Sequence, residues 1–409
     1  MEGSWRECTW GDLVSLEYGK RLEGYESAAG PYRVYGTNGP IGWHTEPLCD
    51  GPGVVVGRKG AYRGVHYSAD PFFVIDTAFY VVPKVELDLR WAYYQLQTLD
   101  INRLDSGSAI PSTSRQDFYA LPVRLPPLAE QRSIAALLAS LDDKIELNRQ
   151  INNTLDALGQ TVFRSWFTDF DPVSPTLPGM TPRGASSAIA RLFPDQLVET
   201  ELGRVPAGWR IGRLADFCST QYGYTASAAQ ASAGPKLLRV TDINKLPWIE
   251  WTDVPHCAIT ASMYERYKLH VGDVVVSRMA DPGKAAIVEE LMEAVFASYL
   301  IRLVVPKGWS YYVFYFLRSK EYLDYAEGVA GGTVQKNMNA RVITGAPVVI
   351  PPGELAEAFD ETVGPLRRRL IAGLQESRAL AVLRDSLLPG LVSGEVRIVS
   401  AERLVEQAV

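Results

Sequence analysis

Three landmarks recur in this chain at a single spacing. Gly107 and Gly332, Pro126 and Pro351, and Leu141 and Leu366 are each 225 residues apart. They lie in a Gly-Ser/Thr loop, a short apolar strand and a long helical stretch. An offset held through three different elements marks an internal duplication. The earlier parts of each half keep the same order without the same spacing. A Trp precedes a short helix-like run (residues 10–16 and 209–217). A β-branched strand then ends on a basic residue, Gly53-Val54-Val55-Val56-Gly57-Arg58 in one half and Asp273-Val274-Val275-Val276-Ser277-Arg278 in the other. Loops at 107–114 and 332–339 lead into strands that close on Pro126-Pro127 and Pro351-Pro352. The chain has to be built from one plan used twice.

Each plan ends in a helical stretch. Apolar residues recur at Ile134, Leu138, Leu141, Ile145, Leu155 and Val162, and again at Phe359, Val363, Leu366, Leu370, Leu380 and Leu387. Steps of three and four fit a coiled-coil seam. The seam turns polar or small at Asn148 and Asn152 in one helix and at Gly373 and Ser377 in the other. A helix over residues 128–165 would run ~57 Å, too long for the inside of one small domain. Two such helices following equivalent domains predict an intramolecular, antiparallel two-helix coiled coil with a pseudo-twofold axis. Between the halves, residues 171–182 are rich in Pro, Gly, Ser and Thr and cannot continue a helix. Phe193 and Trp209 beyond them predict a connector pinned to a surface.

The expected division is a first strand-rich domain over 1–127, a long helix over 128–170 and a connector over 171–206. A second strand-rich domain over 207–352 and a second long helix with a C-terminal tail over 353–409 complete it. The fold class is α+β, with two strand-rich mixed domains separated by two long antiparallel helices.

Composition excludes several functions. No apolar run reaches the ~18–20 residues of a membrane span, and residues 1–5 are not the start of a secretory signal, so the expectation is a cytoplasmic protein with no membrane contact. Cys8, Cys49, Cys218 and Cys257 are far apart and form no C-x-x-C pair. They read as free thiols, and no metal site is expected from them or from the four histidines. No phosphate loop, G-x-S-x-G elbow, H-E-x-x-H or zinc-deaminase pattern is present. Gly36-Thr37-Asn38-Gly39-Pro40-Ile41-Gly42 reads as a tight turn, because Pro40 and the lack of a following helix do not fit a dinucleotide site. No catalytic residue is nominated.

What the loops do carry is recognition chemistry. Arg grips guanine bidentately, Asn grips adenine, and hydroxyls hold phosphates. Such groups occur at Tyr35, Asn38, Arg58, Lys59, Arg63, Ser108 and Ser112 in the first half. In the second they occur at Arg239, Asn244, Arg278, Lys284, Lys336 and Asn337. The net charge of −6 speaks against a simple basic DNA binder. Only residues 201–352 lean basic, with 16 basic against 14 acidic groups. This charge predicts weak DNA binding by the chain alone, with partners supplying phosphate grip.

The chain resembles the specificity subunit of type I restriction-modification systems over nearly its full length. In the first half the resemblance rests on residues 35–42, on Gly57-Arg58-Lys59-Gly60 and on Leu125-Pro126-Pro127-Leu128-Ala129-Glu130-Gln131-Arg132. In the second it rests on residues 238–243, on 272–278 and on Leu387-Leu388-Pro389-Gly390. There are two departures: Gly353-Glu354-Leu355 follows the second proline pair, and Met279-Ala280-Asp281-Pro282 replaces a glycine-rich turn.

The resemblance implies a non-catalytic subunit whose two recognition domains each read half of a split, asymmetric sequence in double-stranded DNA. It implies two modification subunits carrying S-adenosylmethionine and adenine methylation. They would pack on the conserved helices, for which Ile134, Leu138, Leu141, Ile145, Phe359, Val363, Leu366 and Leu370 are the interface candidates. It also implies a restriction, translocating subunit using ATP and Mg²⁺. A coiled-coil scaffold with protein-binding ends is the alternative, which the acidic charge favours and the amide- and aromatic-bearing loops disfavour.

Overall fold

The computed structural model describes residues 5–26, 29–104, 111–173, 187–227, 234–330 and 337–408. They divide into two compact units, Met1–Leu147 with Glu376–Val409, and Asn148–Gln375. Each unit holds one recognition domain and about half of each long helix, so its boundary falls inside the helices rather than at their ends.

In the first unit the central sheet has the order β2 (Val14–Tyr18), β8 (Ala78–Pro83), β5 (Gly53–Gly57), β6 (Val65–Ser68), all antiparallel. The Val-Val-Val run sits in the middle of it, buried on both faces, which is why it reads as continuous rather than alternating. Side chains still alternate between faces. Val54 and Val56 join the core of Trp10, Trp91 and Phe118, whereas Val55 packs with Tyr35, Phe72 and Val74. Those last residues belong to a smaller sheet, in which β3 (Tyr32–Gly36) pairs antiparallel with β4 (Gly39–His44) and parallel with β7 (Phe72–Val74). β1 (Arg6–Thr9) pairs with β9 (Pro122–Leu125), Thr9 opposite Pro122 and Arg6 opposite Leu125, so the domain starts and ends at one place.

The second unit repeats this order. After the hairpin of β10 (Leu197–Thr200) and β11 (Gly203–Pro206), β12 (Arg210–Arg213) pairs with β19 (Pro347–Ile350), Arg213 opposite Pro347. Between them, β13 (Ser219–Tyr222), β18 (Leu300–Val304), β15 (Val274–Ser277) and β16 (Ala285–Ile287) form the four-stranded sheet in that order. β14 (Lys236–Leu238) lies parallel to β17 (Ala294–Phe296), as β3 does to β7. Val274 and Val276 enter one core and Val275 another. Pro122 and Pro347, at the same corner of each domain, are again 225 residues apart.

The long helices run Leu128–Phe167 and Gly353–Ser393. In the first unit, Ile134 and Leu138 share a core with Leu387 and Leu391. Arg384 of the second helix donates to Asp142 of the first at 2.6 Å, and Lys144 lies 3.3 Å from Glu376. In the second unit, Leu155 packs with Trp248, Leu370 and Leu374. Gly373 leaves room for Asn152, since a Cβ there would come within 2.8 Å of Oδ1. Within each unit, higher numbers on one helix meet lower numbers on the other, so the pairing is antiparallel.

The interface candidates on these helices need a correction. Ile134, Leu138, Leu141, Phe359, Val363 and Leu370 are all buried within this chain, and Ile145 and Leu366 are half-buried. The heptad seam is consumed internally, so any docking subunit meets the outer faces of the helices instead.

The motif at the first helix start also acquires a physical role. Gln131, 1% exposed, donates to Pro126 O at 2.9 Å and accepts the N–H of Asp88 at 2.9 Å. It ties the helix to the last strand and to the cap of helix Leu89–Gln97, where Asp88 accepts from Trp91 N. The equivalent position in the second half is Ala356, fully buried in an apolar core, which explains why the polar motif is not repeated. In the connector, residues 174–186 lie outside the described residues, but Phe170 and Phe193 pack against Trp209 with ring centres 5.7 and 5.8 Å apart. The tail adds a helix not expected from the sequence, Ile398–Ala408, whose Ala401 is buried in the first unit's core.

Candidate nucleic-acid interface

In the first unit a short network of backbone bonds gathers three separate segments. Thr37 and Asn38 form the tip of the β3–β4 hairpin, with Gly39 at φ 107°, a conformation that favours glycine. Thr37 O accepts the N–H of Gly64 at 3.0 Å, and Gly57 N donates to Gly64 O at 2.8 Å, closing the loop over residues 58–63. Gly60 N donates to Pro111 O at 2.9 Å, Thr113 N donates to Arg58 O at 2.8 Å, and Lys59 faces Ser112 in an isolated bridge. The structure therefore brings Asn38, Arg58, Lys59 and Ser112 to one side of the domain. Asn38 is exposed, and Lys59 has Asp76 3.8 Å away.

Arg58 is held on two sides. Its Nη1 donates to Asp76 O at 2.8 Å, and its guanidinium lies 4.6 Å from the centre of the Tyr18 ring. Tyr18, at the end of β2, is 45% exposed. Its ring also carries the guanidinium of Arg115 at 4.7 Å. Tyr62 in the 58–63 loop is 79% exposed.

Two candidates of this half are corrected. Arg63 is buried and donates to Gly60 O at 2.9 Å and Asn102 O at 2.8 Å. It clamps the 58–63 loop and has no face for DNA. Tyr35 is buried edge-on against Phe72, with ring centres 5.7 Å apart. A register shift between Val34 and Tyr35 turns both consecutive side chains inward, which simple alternation does not anticipate. Ser108 lies outside the described residues.

The second unit builds the same corner. Arg278 follows β15 as Arg58 follows β5. Its N–H donates to Tyr299 O at 2.9 Å, matching the bond from Arg58 to Thr77, and its carbonyl accepts Met338 N at 2.8 Å, matching Thr113. Met279 faces Asn337 in an isolated bridge, as Lys59 faces Ser112. Arg278 lies over the ring of Tyr222 at 5.2 Å, and Tyr222, at the end of β13, is 43% exposed. Lys284 is exposed and, with Asn244, Lys245 and Gln160, lines an open cavity of about 260 Å³. Lys336 lies outside the described residues.

Arg239 is held within its own turn. Its Nε and Nη2 grip the two oxygens of Asp242 at 3.0 and 2.7 Å, and this bonding holds its guanidinium more firmly protonated. This pairing stabilises the Val240–Asp242 turn and leaves the side chain partly exposed. Asn244 lies at the same turn: its amide nitrogen reaches Asp281 Oδ2 at 3.5 Å in one orientation and Val240 O and Thr241 O at 3.3 Å in the flipped one. At the departure Met279-Ala280-Asp281-Pro282, Ala280 stands where Gly60 stands in the first unit, and both have positive φ. Ala280 takes φ 65°, the left-handed region that a glycine would occupy at no steric cost.

Sequence reasoning missed Tyr18 and Tyr222. A signal exists: both are followed by glycine, in Glu17-Tyr18-Gly19 and Gln221-Tyr222-Gly223. A Cβ on either glycine would meet a backbone carbonyl oxygen, Ile75 O at 2.1 Å and Ala297 O at 2.2 Å.

Among the described residues nothing resembles a reaction centre. Burial pushes the Cys49 and Cys218 thiols up to about 12, far from reactive thiolates. All four cysteines are free. Among the described residues no cluster of three or more His, Cys, Asp or Glu could hold a metal, and no helix is long and apolar enough to cross a membrane.

Residues 3–157 match the family model for the type I restriction modification DNA specificity domain. The chain is 24% identical over 390 residues to the Type I restriction enzyme HindI specificity subunit of Haemophilus influenzae, covering 83% of this chain and 84% of that protein. It is 24% identical over 330 residues to the MjaIX specificity subunit of Methanocaldococcus jannaschii, covering 78% and 71%. The crystal structure of a type I restriction-modification S subunit from M. genitalium superposes with a TM-score of 0.56 at 17% identity, over 95% of this chain and 96% of that one. The overall fold is therefore shared. Residues 3–157 therefore form a type I restriction modification DNA specificity domain, and the chain as a whole is similar to type I specificity subunits.

Proposed function

We propose that this chain is the non-catalytic DNA-reading subunit of a type I complex, each unit recognising one half of a split, asymmetric double-stranded site. The observation that carries the reading is the repeated corner: a buried Val-rich strand delivering a half-buried arginine, backed by an exposed tyrosine, once per unit. Two related but different readers on one chain give two different half-sites. The residues proposed to touch DNA are Asn38, Arg58, Lys59 and Ser112 in one unit and Arg278, Lys284 and Asn337 in the other. Ser108 and Lys336 remain proposals from sequence alone.

Catalysis would reside in partners, two modification subunits using S-adenosylmethionine for adenine methylation and a restriction subunit using ATP and Mg²⁺. The overall acidity places much of the phosphate grip on those partners. The test is adenine-methylation mapping of the full complex on random duplex DNA. A single bipartite consensus is expected, and methylation without sequence preference overturns the reading. A protein-scaffold role predicts no DNA-dependent effect and no steep loss of binding with salt.

A further inference from the structure

We infer that Tyr18 and Tyr222 are positioning residues for DNA reading, each holding the strand arginine of its own unit in a fixed presentation. This rests on the DNA-reading function proposed above. Four observations support it.

Both tyrosines end the first strand of the four-stranded sheet, opposite Phe79 and Ile301 at the start of the partner strand. In both, the following glycine donates its N–H to the same partner strand, Gly19 N to Ala78 O and Gly223 N to Leu300 O, each at 3.1 Å. The backbone at each tyrosine is therefore fixed in the same way. The rings are nevertheless left about half exposed, so packing a core does not account for them.

Each arginine lies over its tyrosine, at 4.6 Å for Arg58 and 5.2 Å for Arg278. A guanidinium on an aromatic face is attracted to the ring and keeps its N–H edge outward. An arginine on a loop samples many rotamers, and restricting them before DNA arrives removes part of the ordering cost of binding.

Each ring is also braced on a second side by the same structural position. In the first unit this is Arg115, whose guanidinium lies 4.7 Å from the Tyr18 ring. In the second it is Ala340, whose N–H donates to the Tyr222 hydroxyl at 3.1 Å. These residues are 225 apart and each opens a short helix capped by the residue before it, Ser114 accepting from Asp117 N and Asn339 from Val342 N. The sequence has changed the chemistry of the brace and kept its place.

The experiment uses the full-length chain in complex with its modification partner. Adenine methylation is measured on duplexes carrying the wild-type consensus and on duplexes with single base changes in either half. Arg58→Ala identifies the half read by the first unit. Tyr18→Leu is expected to reduce discrimination at that same half about tenfold, within the range of one bidentate base contact, and to leave the other half unchanged. Tyr18→Phe, which keeps the ring face, restores it. Tyr222→Leu does the same to the opposite half. Tyr222→Phe recovers only part, because the bond from Ala340 is lost.

Full discrimination at both halves in both Leu variants overturns the inference. So does equal loss at both halves, or a lowered melting temperature with discrimination intact, since either marks a structural role. If the wild-type complex shows no bipartite preference, it is the DNA-reading function that fails.

Discussion

Arg367, with no solvent-exposed side-chain surface, donates through Nη1 to Asp156 Oδ1 at 2.8 Å. Its Nε donates to Glu289 Oε1 at 2.8 Å, and its Nη2 pairs with Glu289 Oε2. Arg318 grips Asp156 from the other side at 2.7 and 2.8 Å. One buried network thus locks both long helices to the recognition domain of the second unit. Removing one member strands the others. Arg367→Met is expected to destabilise the unit by about 3–5 kcal/mol, the cost of leaving buried carboxylates unpaired. Urea unfolding checks this, and a loss below about 1 kcal/mol would show that the carboxylates find water.

Asp360 gives a pH dependence. Burial pushes its carboxyl up to about 6, against the opposing effect of the Tyr311 and Tyr312 backbone N–H groups. The folded chain therefore holds this proton more tightly than the unfolded chain, and stability from this residue falls as pH rises from about 4 through about 6. Asp360→Asn keeps an acceptor for Tyr311 N, 3.1 Å away, and removes the charge. It is expected to stabilise the protein by about 1–2 kcal/mol at pH 7.5, after discounting for partial exposure, and to have little effect near pH 4. Melting curves at the two pH values decide it.

Arg58 and Arg63 are close in sequence and opposite in role. Arg58→Ala is expected to cost ~1–3 kcal/mol of binding with relaxed reading of one half-site, and Arg278→Ala the same at the other. Arg63→Ala leaves Gly60 O and Asn102 O without a donor, so it is expected to lower stability by about 1–3 kcal/mol. Methylation profiling beside thermal melts separates them. A uniform loss of affinity across all sequences for Arg58→Ala would assign it to phosphate instead.

Ala280 is the cheapest site to improve. A glycine at φ 65° relieves steric strain of about 1–2 kcal/mol, part of which is returned as backbone entropy of the unfolded chain. Ala280→Gly is expected to raise stability by up to about 1 kcal/mol with methylation specificity unchanged. A fall in stability on denaturant titration refutes the strain.

Much of this was legible in the primary structure because it depends on local pattern. The two Val-rich strands, the 225-residue offset and the seam of leucines each impose a periodicity that packing then follows. What stayed hidden depends on contacts made from a distance. Tyr18 and Tyr222 are 204 residues apart, since the segments between the first and third sheet strands differ in length, so the offset that reveals the helices conceals the tyrosines. Arg63 reads as solvated because arginine usually is, and its burial is made tolerable by Gly60 O together with Asn102 O, 39 residues away. Tyr35 is turned inward by one irregularity in a hairpin.

Two of the helix-to-helix ion pairs carry a last consequence. Asp142 and Asp156, the acids, both ride on the first long helix; their partners Arg384 and Arg367 both ride on the second. A first helix set against another copy of itself would offer only carboxylates at these positions, and a second helix against its own copy only guanidiniums. At these two places the duplication that made the helices alike has been given opposite charges that favour the sister over a twin, while Lys144 and Glu376 carry the reverse order between them.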